Sequence, residues 1–297
     1  MSLTLAPVAP DDFPAWLAML RDRLTGLIAV SAVGRVPEEA AEALERALPT
    51  QPDTGLLWVQ RGDQRVGHAW VADSAGVTTV RDIRLDDLQD ADELRALLVT
   101  RAQAADSTAL EAHWTADDPS HAAFINDARF EAASTNMALP LTELPMAPDV
   151  TLRPMTVNEY ADWWAVDHEE YIATRVRNGE SPEVARRTAD EQSAQMLPDG
   201  QHTHGHSFSV AEVAGDRVGI LWLDLRAAYA FVFQVEVEAS ARGRGYGRVI
   251  MNAAAHTAHR AGKQGIALNV FGDNVIARRL YDSLGYQPIQ GGVRMVL

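Results

Sequence analysis

The run 241-ARGRGYGRVIMNAAAHTA-258 places three glycines and three arginines in the seven positions from Arg242 to Arg248, directly ahead of an alanine-rich, helix-forming stretch. The first amide groups of a helix have no intrahelical partner, and the helix dipole adds positive potential there. Glycine lets a bulky anion approach the backbone closely. Arginine offers a planar fork of donors to phosphate oxygens. Together these residue types suit a diphosphate. A Walker P-loop needs Gly-Lys-Ser/Thr, and Gly245-Tyr246-Gly247-Arg248 lacks it. A dinucleotide fingerprint needs G-x-G-x-x-G with an acidic residue about 20 positions later. Here the spacing is G-x-G-x-G, and the later stretch reads 266-IALNV-270. An ordinary glycine loop uses the same residues, so the turn needs a second signal.

The surrounding sequence predicts the elements that would hold this turn. A strand is expected from Val150 and helices near 157–172 and 181–196, the second opened by Ser181-Pro182-Glu183. Strands follow over 207–213 and 218–225, around the turn Ala214-Gly215-Asp216. A β-rich run over 231–238 leads into the glycines. Next come a helix over 244–261, a strand over 266–271, a helix over 274–284 ending at Gly285, and a closing strand over 293–297.

The chain also repeats itself. The segment 4-TLAPVAPDDFPAWLAM-19 matches 151-TLRPMTVNEYADWWAV-166, and 37-PEEAAEAL-44 resembles 182-PEVARRTA-189. The segment 62-GDQRVGHAWV-71 matches 215-GDRVGILWL-223, and 118-DPSHAAFINDARF-130 resembles 274-NVIARRLYDSLGY-286. Four matches in one order argue for one unit used twice. The fold class expected is α/β: two tandem domains, each a central mixed sheet flanked by helices. The expected boundaries are 1–139 and 150–297, joined by a proline-rich linker over 140–149.

The pattern Arg242-x-x-Gly245-x-Gly247 after a strand resembles the acyl-CoA site of the GCN5-related N-acetyltransferase (GNAT) family. Asn274, Ala277, Tyr281, Gly285 and Tyr286 resemble that family's Asn-x-x-Ala-x-x-x-Tyr-x-x-x-Gly-Phe/Tyr segment. The match covers 150–297 well and 1–139 as a worn copy. The resemblance implies an acetyl-CoA-dependent N-acetyltransferase. Amides of Gly243, Arg244, Gly245, Tyr246, Gly247 and Arg248 would hold the CoA diphosphate. Val235 and Val237 would pair with the pantetheine arm, Asn274 would bond it beside Ala277, and Tyr281 would protonate the leaving thiolate. Arg278 and Arg279 reach CoA phosphates or face solvent. Glu236 is the base candidate, with Glu238 an equal rival and Asn269 a possible water-holding residue. Strand alternation puts Glu236 with Gln234, opposite Val235 and Val237.

Aligning Leu85 with Val237 sets Asp90, Glu93 and Arg95 opposite Arg242, Gly245 and Gly247, and Ile125 opposite Tyr281. The approach glycines are replaced by a run of carboxylates, 86-DDLQDADE-93. The first copy is therefore expected neither to bind CoA nor to catalyse.

Composition narrows the function classes. The chain has 297 residues, net charge −15 and no cysteine, so disulfides, thiolate metal sites and a cysteine nucleophile are excluded. Transfer would then be direct, in a ternary complex. Residues 1–148 hold 11 arginines against 23 acidic residues, whereas Arg242 to the end holds 8 basic against 2 acidic. So acidic a chain does not bind nucleic acid through its general field and would favour a small cationic amine as acceptor. No apolar run nears the ~20 residues of a membrane span, and MSLTLAPVAP lacks a signal-peptide pattern. A cytoplasmic protein with no membrane or nucleic-acid partner and no metal is expected. His202, His204 and His206 alternate as metal ligands could, but with no carboxylate pattern nearby they read as a solvated loop, with a substrate contact as the second reading; His256 and His259 read as surface residues, and Trp16, Trp163 and Trp164 as helix packing. The alternatives are a non-catalytic CoA-binding sensor or scaffold, a mycothiol-synthase-like acetylation of a cysteinyl-sugar amine, and a nucleotide-binding α/β domain.

Overall fold

The computed structural model describes every residue except Met1, Ala32, Asn178 and Gly179. In chain order the elements are β1 (Leu3–Pro7), α1 (Phe13–Ser31), α2 (Pro37–Ala47), β2 (Leu56–Arg61), β3 (Gln64–Ser74), β4 (Val77–Leu85), α3 (Ala91–Ala104), β5 (Ala109–Thr115), α4 (Pro119–Ile125) and β6 (Glu131–Pro140). There follow β7 (Thr151–Pro154), α5 (Val157–Arg177), α6 (Pro182–Met196), β8 (His206–Val213), β9 (Asp216–Asp224), β10 (Tyr229–Val237), α7 (Tyr246–Arg260), β11 (Gly265–Phe271), α8 (Val275–Ser283) and β12 (Gln287–Val296). The two copies carry the same series of elements, as the repeat requires. The local signals behave as read. Ser181 Oγ accepts from the Val184 amide at the start of α6. Ala214 and Gly215 both take positive φ in the tight β8–β9 turn.

Two compact units form, and their boundary differs from that of the repeat. The first comprises residues 1–139 with 267–297; the second comprises 140–266. In the first unit the strands run β1-β2-β3-β4-β5-β12-β6-β11. The last strand of the chain, β12, lies antiparallel to β5 along Gln290–Val296 and antiparallel to β6 on its other side. Its Val293 and Met295 enter the core of this unit with Leu94, Leu98, Leu110 and Phe124. In the second unit the strands run β10-β9-β8-β7, all antiparallel. Its core gathers Met155, Phe208, Val210, Ile220 and Trp222, with Tyr160, Trp163 and Trp164 packed on it.

The proline-rich joint is tied down on the second unit's side. The Leu141 amide donates to Gln264 O at 2.8 Å, and His256 Nε2 lies 2.9 Å from Pro145 O. His256 is therefore a half-buried anchor rather than a free surface residue.

Both copies share an irregularity. Between Val232 and Gln234 the register of β10 against β9 shifts, leaving Phe233 as the extra residue of a β-bulge. Between Asp82 and Val80 the register of β4 against β3 shifts likewise, leaving Arg81 extra. With Leu85 aligned to Val237, these are equivalent positions. A bulge redirects a side chain locally and often flanks a site.

Candidate functional site

In the second unit β10 ends at Val237, a short 3-10 turn spans Ala239–Ala241, and α7 starts at Tyr246. Gly243 and Gly245 hold φ of +76° and +82°. An added Cβ would meet nothing within 4 Å at either position, so glycine is needed for the backbone conformation itself. No side chain caps α7. At its start the amides of Arg248 and Val249 both bond to Gly245 O. Among the described residues the amides of 243–247 have no protein partner. Arg242 Nε donates back to Val237 O at 3.1 Å, which locks the turn to the strand end. A helix start left open in this way, flanked by arginines, fits an anionic phosphate group.

Val235 and Val237 pair with Leu221 and Gly219 of β9 and are half-buried, whereas Glu236 between them is exposed. Gly219 permits this pairing. A Cβ there would lie 2.2 Å from Glu236 O and 2.8 Å from Ile250 Cδ1. Glu238 is held by Arg217, Nε to Oε1 at 2.6 Å, which ties up the rival base candidate.

A second cluster of the same unit carries a residue that sequence reasoning missed. Asp167, on α5, has its carboxyl pushed up by burial and then by the neighbouring charges of Glu170 and Glu236, with His168 opposing. Asp167 lies one helical turn beyond Trp163, on the stripe that meets the sheet. Its helix belongs to an aromatic wall. Trp163 and Trp222 have centroids 5.9 Å apart, and Phe233 stacks on Trp222 at 4.6 Å. Trp222 Nε1 donates to His206 Nδ1 at 3.0 Å, so His206 belongs to this wall and not to a solvated loop. Among the described residues no three His, Asp or Glu side chains converge as metal ligands.

The remaining predicted residues lie in the first compact unit. Asn274 caps α8, its Oδ1 accepting from the Ala277 amide at 3.1 Å. Its counterpart in the repeat, Asp118, caps α4 in the same way through the His121 amide. Tyr281 is buried, its ring 5.8 Å from that of Tyr286, and no described group bonds its hydroxyl. Burial raises the Tyr281 phenol above its usual range, so it stays protonated. Arg278 is engaged locally, to Asp282 at 3.2 Å and to Thr135 at 3.3 Å. Asn269 donates to Asn136 Oδ1 at 2.6 Å.

Residues 155–286 match the model of the acetyltransferase (GNAT) family. Residues 155–286 are thus similar to the GNAT acetyltransferase family. The uncharacterized N-acetyltransferase YycN of Bacillus subtilis is 28% identical over 144 residues, 46% of this chain and 92% of that protein. The uncharacterized N-acetyltransferase YdgE of the same organism is 26% identical over 142 residues, 46% of this chain and 90% of that protein. Over its whole length the fold resembles a GCN5-related N-acetyltransferase of Sphaerobacter thermophilus, with TM-score 0.54 and 18% identity over 99% of this chain and 95% of that one. The matched stretch supports acetyl transfer by this part of the chain, and the mixed α/β fold is like that of the GCN5-related N-acetyltransferase it resembles.

Proposed function

We propose that the second copy transfers the acetyl group of acetyl-CoA directly to the amine of a small cationic acceptor. The observation carrying this reading is the open start of α7, with its unpartnered amides, two left-handed glycines and flanking arginines. The open amides of 243–247 bind the CoA diphosphate, Val235 and Val237 present the strand end to the pantetheine, and the family resemblance assigns Asn274 to the pantetheine. The amine nitrogen attacks the thioester carbonyl and the C–S bond breaks. Tyr281 gives its hydroxyl proton to the departing sulfur. The proton lost by the amine passes to an acidic residue of the aromatic wall. Glu236 is the base assigned from the sequence. Asp167 joins it because a carboxyl raised from its usual range is better matched to accepting a proton near neutrality. The same acids, with Trp163, Trp222 and Phe233, favour a cation through charge and ring-face attraction. No cysteine exists to carry the acetyl group.

The first copy is proposed to lack this activity. Where the second copy leaves amides open, the first uses its own side chains. Asp87 Oδ1 accepts from the Gln89 amide at 3.0 Å, Asp90 pairs with Arg61, and Glu93 accepts from the Leu3 amide at 2.8 Å. Arg95, opposite Gly247 in the alignment, is buried and donates to Phe124 O at 2.7 Å.

Calorimetric titration with acetyl-CoA, followed by turnover across an amine panel, tests the proposal. One diphosphate-dependent site and turnover that falls roughly 100-fold in Tyr281→Phe are expected. Absence of binding overturns the whole reading. Binding without turnover of any amine leaves the sensor alternative in its place.

A further inference from the structure

The first unit contains a cavity of about 520 Å³, the size of a site for a small metabolite. Its apolar lining includes Leu24, Leu27 and Ile28 of α1 and Leu44 of α2. Arg35, Arg81 and His113 of β5 also line it.

The charge inventory singles this place out. The first 139 residues contain eleven arginines and no lysine. Nine of the eleven lie within ion-pair distance of an Asp or Glu. The two that have no acidic partner among the described residues are Arg35 and Arg81, and both line the cavity. In a half of the chain with twice as many acids as bases, two uncompensated cations at one cavity need a reason.

The bulge supplies the placement. Arg81 is the extra residue of β4, and its guanidinium lies 5.1 Å from the centroid of the Trp70 ring. Its counterpart Phe233 is the extra residue of β10 and stacks on Trp222, the counterpart of Trp70. One architectural position thus presents an aromatic ring in the copy whose wall carries Asp167 and Glu236, and a cation in the other. Burial and the neighbouring charge of Arg81 lower the affinity of His113 for a proton, although Glu111 opposes them. His113 thus serves as a neutral donor or acceptor. Glu111 is itself paired with Arg294.

We propose that this cavity binds a small organic carboxylate with an apolar body, the carboxylate held by Arg35 and Arg81 and the body laid on the α1–α2 wall. Two guanidinium forks suit one carboxylate, and an apolar tail gains by leaving water. The inference concerns the first unit alone and does not depend on acetyl transfer by the second copy.

Calorimetry on the full chain tests it, with hexanoate and phenylacetate as probes, hexanamide as the neutral analogue and inorganic phosphate as the anion without a tail. At least one carboxylate is expected to bind below about 1 mM, and Arg81→Gln and Arg35→Gln each to weaken it roughly tenfold or more. Arg81→Lys, which keeps the charge and loses the fork, should fall between wild type and Arg81→Gln. Both arginines are exposed on the cavity wall, so a near-ultraviolet spectrum like that of wild type will confirm folding. No heat from either carboxylate up to about 10 mM, or unchanged affinity in the double glutamine variant, overturns the proposal. So does hexanamide or phosphate binding as tightly as hexanoate.

Discussion

Gly245 holds φ of +82° in open space, so a substitution there strains the backbone without a clash. Gly245→Ala should cost about 1 kcal/mol in stability, measured by denaturant unfolding, and should weaken acetyl-CoA binding by more than that strain alone would. Asp167 makes the opposite kind of prediction. Its folded carboxyl is raised, so wild-type stability falls as pH rises through the carboxylate range, and the ionised form is the disfavoured one. Asp167→Asn should therefore raise Tm at pH 7, have little effect near pH 3, and still reduce turnover. Calorimetric Tm at both pH values alongside kcat checks all three. Unchanged turnover would remove Asp167 from the proton-accepting role. The two residues differ in how far the sequence betrays them. Gly245 belongs to a local motif whose spacing carries the meaning. Asp167 owes its raised carboxyl first to burial, then to Glu170 on its own helix and Glu236 on another element, and the burial is not announced by spacing along one helix.

The elements themselves were largely legible, because caps, tight turns and alternation act locally. What binds one element to the next was not. The first unit contains a buried charged cluster on α1, β3, β4 and α4 that no motif marks. Arg23 Nε lies 3.0 Å from Asp82 Oδ2, and its Nη2 lies 2.7 Å from Asp118. His68 Nε2 approaches the same Asp82 at 2.8 Å. The Thr115 amide donates to His121 Nδ1 at 3.1 Å, which leaves Nε2 to donate to Asp82 Oδ1 at 3.1 Å. Burial alone would raise Asp82, but the bonds from His121 and His68 and the charge of Arg23 hold it well below the usual carboxylate range. A depressed carboxyl stabilises above its unfolded pKa, and that contribution is lost as pH falls through the acid range. Asp82→Ala removes one of the two acidic partners of Arg23 and the shared acceptor of His68 and His121, and should cost roughly 3–5 kcal/mol at pH 7. The gap between variant and wild type should narrow between about pH 4 and pH 2, a trend that urea melts at a series of pH values would follow. A gap independent of pH would mean that packing, not charge, holds these elements together.

At the scale of the molecule, repeat and compaction follow different boundaries. Val293 and Met295, near the end of the second copy in sequence, are core residues of the unit that contains the first. The alternation of a strand says which face is buried and nothing about which neighbours it will pair with, so the address of β12 was not readable from 293-VRMVL-297. The consequence is physical. Residues 150–297 produced alone would carry β12 without β5 and β6, its two recorded partners, exposing a long strand with both edges unsatisfied. That fragment should be poorly soluble by itself, and residues 1–149 alone should lack a strand from the middle of their sheet. Co-expression of the two fragments should restore a soluble complex, with Gly292→Pro lowering the yield. Gly292 pairs with His113 on one side and Ser134 on the other, and proline breaks a ladder at a central strand. Co-purification through a tag on one fragment measures this directly. Two fragments that each fold and remain monomeric and soluble apart would show that β12 can close a sheet without β5 and β6.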